Sequence, residues 1–306
     1  MTDLLTPQMK LAAVAVSAGE LLTEEAANPR RDAWRLFKKN KAAMLGLGWA
    51  ILLTFVAIFG PLIQRYDPKK IDIVSALTGP SRKHWLGADI LGRDVWSRIV
   101  NGARVSLSLA LGVVIAALVL SLFIGALAGF MGGWFDSLFM RFADIVLALP
   151  YIIVVLAFTS VFGRSVWILI FAIVSISWMG VARLFRGSVL QVRSLDYIEA
   201  ARASGASTSR ILRRHVFSNA IQPVIVSIGF SIGGAILLES IFSFLGIGLE
   251  PGTPSWGVMV GDSRQYINTS SHLFFFPAGA LVLTVLAFSF IGDGVRDALD
   301  PKLRGF

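Results

Sequence analysis

Little in this chain could do covalent chemistry. It has no cysteine, so it offers no thiolate nucleophile, disulfide or thiolate metal site. Its three histidines, His84, His215 and His272, lie far apart in separate loops. No catalytic or metal-ligand spacing joins them, so no catalytic and no metal residues are expected. The phosphate-binding pattern G-x-x-x-x-G-K-[ST] does not occur, and the chain is therefore not expected to hydrolyse ATP itself. What the sequence concentrates instead is recognition chemistry, in residues 196–219. Asp196 is followed three residues later by Glu199, a start that resembles a capping box. Ala200, Ala201 and Ala203 are strong helix formers. Gly205, before Ala206, is placed to end the helix in the left-handed conformation. The spacing predicts a stiff helix of about two turns, about 12 Å long, whose alanines leave a smooth surface. Ser207 or Thr208 is expected to cap a second helix, with Ile211, Leu212, Val216 and Phe217 apolar and Arg210, Arg213 and Arg214 basic. Two readings fit this pattern equally: an amphipathic loop resting on a membrane, or a rigid knob for another protein.

The elements that must position this loop follow from composition. The 306 residues are 55% hydrophobic and only 15% charged, with mean hydropathy +0.72. A soluble domain carries about a quarter charged residues, and the missing charge points to lipid-facing surface. Six apolar stretches, 42–63, 106–130, 142–162, 166–185, 220–249 and 273–291, approach or exceed the roughly 20 residues a bilayer demands. Each is expected to be a helix, because only helices and closed barrels satisfy backbone polar groups in lipid, and the alternation of barrel strands is absent. The fold class is thus an all-α membrane protein with six transmembrane helices.

Residues 1–41 read as a cytoplasmic tail ending in an interfacial helix. Arg30, Arg31, Arg35, Lys38, Lys39 and Lys41 alternate there with Trp34 and Phe37, a pattern suited to the headgroup layer. The net charge of +9 is explained by this topology and by lipid headgroups, and no nucleic-acid partner is expected. A first helix at 42–63, an external loop at 64–105, a core at 106–295 with five helices, and a cytoplasmic tail at 296–306 complete the organisation. Arg183, Arg186, Arg193, Arg202, Arg210, Arg213 and Arg214, together with Arg296, Lys302 and Arg304, place both termini in the cytoplasm by the positive-inside bias. The loop 64–105 opposes that bias with Arg65, Lys69, Lys70, Arg82, Lys83, Arg93, Arg98 and Arg104. An even number of spans, the basic cluster before the first and the family resemblance given below decide for the stated orientation.

Glu199-Ala200-Ala201, Gly205, His215 and Asn219 then supply a resemblance. Their order and spacing resemble the EAA signature of ABC importer permeases, in the dipeptide/oligopeptide (nickel) branch. Where that branch usually carries proline, this chain has Ser218. The resemblance extends through His84-Trp-Leu-Gly-Ala-Asp89, Gly92-Arg93-Asp94, Ser97-Arg98 and Gly102-Ala103-Arg104. It continues through Gly132-Gly133, Asp136, Met140-Arg141 and Asp144. Glu239-Ser-Ile-Phe-Ser-Phe-Leu-Gly246, Pro254-Ser-Trp-Gly257 and the run from Gly292 to Pro301 complete it. Only residues 1–29 fall outside.

The resemblance implies the type I importer permease fold in the cell inner membrane. It also implies a coupling loop over 188–219 whose ATPase-coupling residues are Asp196, Tyr197, Glu199, Ala200, Ala201, Gly205, Ala206, His215 and Asn219. The implied partners are a homologous second permease subunit, two ATP-binding subunits that hold the ATP and Mg, an external substrate-binding protein and membrane lipid. The implied substrate is a di- or oligopeptide, with nickel complexes or glycan fragments as alternatives; substrate-binding residues are unknown. A proton-coupled secondary transporter is the reading of a different class. It rests on Glu239, deep in the fifth stretch, where a carboxylate is costly and marks either a proton or substrate site or a buried hydrogen-bonding group. The ATP-driven family favours the second. Asp144 is expected to be paired near Arg141. Gly125, Gly129, Gly229, Gly233 and Gly234 are expected to permit close helix approach.

Overall fold

The computed structural model describes residues 29–300; the tail residues 1–28 and 301–306, including Lys302 and Arg304, lie outside them. The regular elements of the described residues are all helices, without a named strand. Helix α1 (Pro29–Lys39) and helix α2 (Lys41–Ile63) are separated only by Asn40. The long helix α3 (Val95–Met131) follows, then α4 (Gly133–Leu147), α5 (Tyr151–Phe162) and α6 (Val166–Arg193). A short α7 (Asp196–Ala203) leads through a broken helical segment to α8 (Gln222–Phe244). Helices α9 (Trp256–Ser263) and α10 (His272–Leu299) close the chain. Five of these, α2, α3, α6, α8 and α10, are long and apolar enough to cross a membrane, and the pair α4–α5 makes up to a sixth.

That sixth span differs from the single helix expected over 142–162. It is two helices bent by 87°. The N-cap of α5 is Pro150, which has no N–H to continue the ladder and disfavours helical backbone at Leu149 before it. Other boundaries shift for identifiable reasons. Asp94 caps α3, accepting from Ser97 N–H at 2.9 Å, so α3 begins well before residue 106 and takes in the polar Arg98, Asn101 and Arg104. Helix α6 runs past 185 to Arg193, so Arg183 and Arg186 are helical and not loop residues. Helix α8 spans less than 220–249, and α10 continues beyond 291 to Leu299, so Arg296 is also helical.

Helix α3 pairs along α6 and also meets α2 and α8, while α10 packs on α8, α2 and α1. Leu109 and Val113 of α3, Leu169 and Ile173 of α6 and Ile236 of α8 form the centre of the main apolar core. Small residues let the backbones approach. A Cβ on Gly229 would lie 2.8 Å from the backbone of Gly292, one on Gly125 2.8 Å from Ala182 O, and one on Gly129 2.8 Å from a Val189 methyl. Gly233 has looser contacts, and Gly234 faces open space.

The loop 64–94 folds over the end of the bundle where α3 and α10 begin. Its turn at Gly92 has φ +72, and a Cβ there would overlap Asp72 O, so only glycine fits. Val95 N–H donates to Gly87 O, and a Cβ on Gly87 would meet the ring of His272 at the start of α10. At the opposite end, Arg193 donates to Gly129 O and Phe130 O, and α1 packs through Phe37 on Ala43 and Ala298. Helices α1 and α7 therefore share one end of the bundle, opposite the loop 64–94.

The packing makes a prediction. Gly229→Val should lower unfolding stability by about 1–3 kcal/mol through overpacking against α10, whereas Gly234→Val should leave it nearly unchanged. Denaturant unfolding of the purified chain in detergent distinguishes the two.

Candidate functional site

Helix α7 stands on one buried side chain. Ile198 is fully buried in a cluster with Phe185 and Val189 of α6, Ile211 and Val216 of the following segment, and Val224 of α8. Around it Asp196, Tyr197, Glu199, Ala200, Arg202 and Ala203 are exposed and Ala201 is half-buried. A helix of eight residues would be marginal alone in water; this one is held by its anchor and leaves most of its circumference open.

The start of α7 corrects the capping expectation. Leu195 occupies the N-cap without a side-chain bond, and Asp196 and Glu199 lie within the first turn. There they favour the helix through its positive end and not as caps. The end is as the sequence predicts. Gly205 has φ +78. Its N–H donates to Arg202 O at 3.0 Å, and Ala206 N–H donates to Ala201 O at 3.1 Å. This pair of bonds is a Schellman stop.

Ser207 flanks the next segment without a side-chain cap. The expected second helix is an α turn, Thr208–Arg210, then a π-helical stretch, Ile211–Val216, then one turn, Phe217–Ala220. The π stretch displaces His215 and Asn219 from α-helical register. Asn219 Nδ2 donates to His215 O at 2.7 Å and to Tyr197 Oη at 3.2 Å, and the Tyr197 and His215 rings lie 6.3 Å apart. Three residues spread over 23 positions thus form one brace between α7 and the root of α8. Ser218 only grazes Arg213 O at 3.5 Å. The turn into the membrane falls instead at Ile221, just before Pro223 in the first turn of α8.

The other motif residues form the frame that holds the bundle. Glu239, fully buried, accepts from Ser243 at 2.8 Å, Ser255 at 3.0 Å, Ser106 at 3.3 Å and Ser240 at 3.4 Å. The carboxylate joins α3, α8 and the start of α9. Beside it Trp256 donates to Ile99 O at 3.1 Å above Gly102, and a Cβ on Gly257 would lie 2.5 Å from Ser240 Cα.

At the loop end, His84 Nδ1 lies 2.9 Å from Asp94 Oδ1. Arg93 donates to Asp89 at 2.7 Å, and buried Arg98 reaches Gly252 O at 3.2 Å. Arg93 also approaches Asp262 at 3.8 Å. Burial pushes the Asp262 carboxyl above the usual carboxylate range, against the pull of Arg98 and Arg93. Hydrogen bonds from Ser75 and Lys83 hold the exposed Asp72 carboxyl below it. Nearer α7, Asp136 forms a fork with Arg186. Asp144 pairs with Arg183 on α6, and not with its neighbour Arg141. Ser243 and Ser255 lie within the motif blocks quoted above, but the sequence did not tie them or Ser106 to Glu239; hydroxyls repeating beside a membrane carboxylate were the available signal.

The described residues thus form a helical bundle with five or six candidate membrane spans and an anchored short helix at one end. The chain belongs to the family described as binding-protein-dependent transport system inner membrane component, which matches residues 121–305. Residues 28–80 match the N-terminal TM domain of oligopeptide transport permease C. The chain is 36% identical over 300 residues to the oligopeptide transport system permease protein OppC of Bacillus subtilis, covering 97% of this chain and 98% of that protein. It is 39% identical over 279 residues to the dipeptide transport system permease protein DppC of Alkalihalophilus pseudofirmus, covering 91% and 92%. It is 39% identical over 291 residues to the glutathione transport system permease protein GsiD of Escherichia coli, covering 92% and 93%. The resemblance to ABC importer permeases therefore holds, and the protein is a multi-pass inner-membrane permease subunit of that class. Its family is one of membrane components and not of catalytic subunits.

The Glu239 cluster predicts an asymmetry between substitutions. Glu239→Leu leaves buried hydroxyls without their acceptor and should cost about 1–3 kcal/mol for each hydroxyl left unpaired. Glu239→Gln keeps a carbonyl acceptor and should cost clearly less. Equal losses in detergent unfolding would refute the acceptor role.

Proposed function

We propose that this permease forms, with a homologous second subunit, the translocation path of an ATP-driven peptide importer, and that α7 is the element an ATPase subunit grips. The observation that carries the reading is the mounting of α7: an exposed face of Asp196, Tyr197, Glu199 and Ala200 on a buried Ile198 anchor, stopped by Gly205 and braced by Asn219. A knob so held transmits a push to α6 and α8 through the shared apolar cluster. ATP and Mg belong to the ATPase subunits in this reading, and an external binding protein delivers the substrate. The two ATPases bind the two states of the permease with different affinity, and that difference is what ATP binding converts into alternating access.

The peptide substrate is supported by the names of three relatives, an oligopeptide, a dipeptide and a glutathione permease. A role for Glu239 in carrying protons has less support than a structural one, because four hydroxyls already occupy its carboxylate. The reading sets α1, α7 and the end of α10 in the cytoplasm and the loop 64–94 outside, consistent with the arginines that gather around α7.

Two measurements test it. Gly205→Pro forbids the left-handed stop, and Glu199→Lys reverses a charge on the docking face. Each should lower peptide uptake by about tenfold or more, an uncoupling equivalent to about 1.4 kcal/mol or more, with normal permease levels in the membrane. Unchanged uptake in both would overturn the role of α7. For the orientation, a single cysteine at the exposed Val74 should react with an impermeant maleimide from the external side of cells, and labelling confined to inverted vesicles would reverse the topology.

A further inference from the structure

Helix α1 is fixed against the start of α2 and the end of α10. Phe37 is buried against Ala43 and Ala298, so α1 rests on the end of α10. Asn40 Oδ1 accepts from Ala43 N–H at 3.0 Å, and its Nδ2 donates to Asp297 at 3.0 Å, which locks the corner between α1 and α2. This mounting leaves Arg31, Arg35, Lys38, Lys39 and Lys41 exposed. Trp34, 48% exposed, stacks on Phe37 and carries Lys38 Nζ 5.2 Å from its ring centre. A half-exposed indole among cations suits a headgroup layer.

One turn into α2 from Lys41, an open apolar groove of about 550 Å³ begins between α2 and α10. Leu45, Gly46, Trp49, Leu283, Leu286 and Phe290 line it. The Trp49 N–H is already spent on Thr284 Oγ1 at 3.1 Å, so the groove offers no polar group to a partner. Lys41 and Leu45, four residues apart, share a face of α2.

We propose that this groove and the cations above it form a binding site for one anionic phospholipid, its phosphate held by Lys41 and Lys38 and an acyl chain laid along Trp49. The charge on α1 decides between a lipid and a protein occupant. A protein partner would have to present acidic groups directly beside a wholly apolar strip, whereas a phospholipid carries an anion and a hydrocarbon chain joined at that spacing. Lys and Arg near an anionic bilayer surface each strengthen attachment, and their stems reach from the apolar layer to the headgroups.

The test uses the full chain in nanodiscs holding equal amounts of phosphatidylglycerol and phosphatidylcholine, released into mild detergent for native mass spectrometry. Retained phosphatidylglycerol should exceed phosphatidylcholine by about thirtyfold, the factor expected for two surface cations. Lys38→Gln with Lys41→Gln should abolish the preference, and Leu283→Trp, which fills the groove, should reduce retention of both lipids. Excess inorganic phosphate should not displace the adduct. Because the chain has no cysteine of its own, a single one at Leu45 reports the neighbour in the assembled transporter, where it should stay free of protein cross-links. Equal retention of the two lipids, a preference that survives the double substitution, displacement by phosphate, or efficient cross-linking of position 45 to another subunit would each overturn the proposal.

Discussion

Inside a bilayer no water satisfies a stray polar group, so every carboxylate must meet its donors within the protein. Glu239 is where this constraint shapes the bundle. Its side chain collects hydroxyls from α3, from its own helix and from the start of α9, and each bond requires those elements at one separation. The glycines follow from it. Gly257 lets α9 close on Ser240, and Gly102 lets Trp256 lie over α3 and reach Ile99 O. The Arg98 and Asp89 network then ties the loop 64–94 to the same corner. The half of the bundle near the loop 64–94 is a polar frame set in apolar packing.

The half near α7 is built differently. Ile198, Ile211 and Val216 form an apolar joint with α6 and α8, and the polar contacts around it are few and close to water. An apolar joint is non-directional, so it tolerates small rotations that a hydrogen-bonded frame resists. The π stretch adds to this difference, since such stretches interrupt the regular ladder of a helix and concentrate at functional sites. One end of the molecule is thus held in fixed geometry, and the other is joined by apolar packing that tolerates small rotations.

The helical type and five of the six expected spans were legible in the sequence because hydropathy over about 20 residues is a strong signal. The bend at Pro150 was not. Pro61 and Pro277 lie inside unbroken helices α2 and α10, so a proline in an apolar run does not by itself mark a break. The start of α3 was hidden for the opposite reason: Arg98, Asn101 and Arg104 make its first turns polar while Asp94 still caps them. At α7 the stop at Gly205 was readable, because a left-handed residue before Ala206 has few alternatives to glycine. The start was not, because Asp196 serves a helix as well in the first turn as at the cap. The brace of Tyr197, His215 and Asn219 depends on the π register, which no local pattern announces. The partners of Asp136 and Asp144 depend on how α4 lies after Gly132, and so could not be read from neighbours in sequence.

The contact of Asn40 with Asp297, with Phe37 seated against Ala298, joins the first described helices to the last. A ribosome makes these two ends at opposite times. Helix α2 meets α3 once that helix is made, but its face around Gly46 and the buried side of α1 have their partner only when α10 exists. A product cut short before residue 272 leaves the face of α2 around Gly46 uncovered and the corner at Asn40 without its bond to Asp297. The architecture thereby gives the cell a physical difference between a finished permease and an unfinished one, written in exposed helix surface.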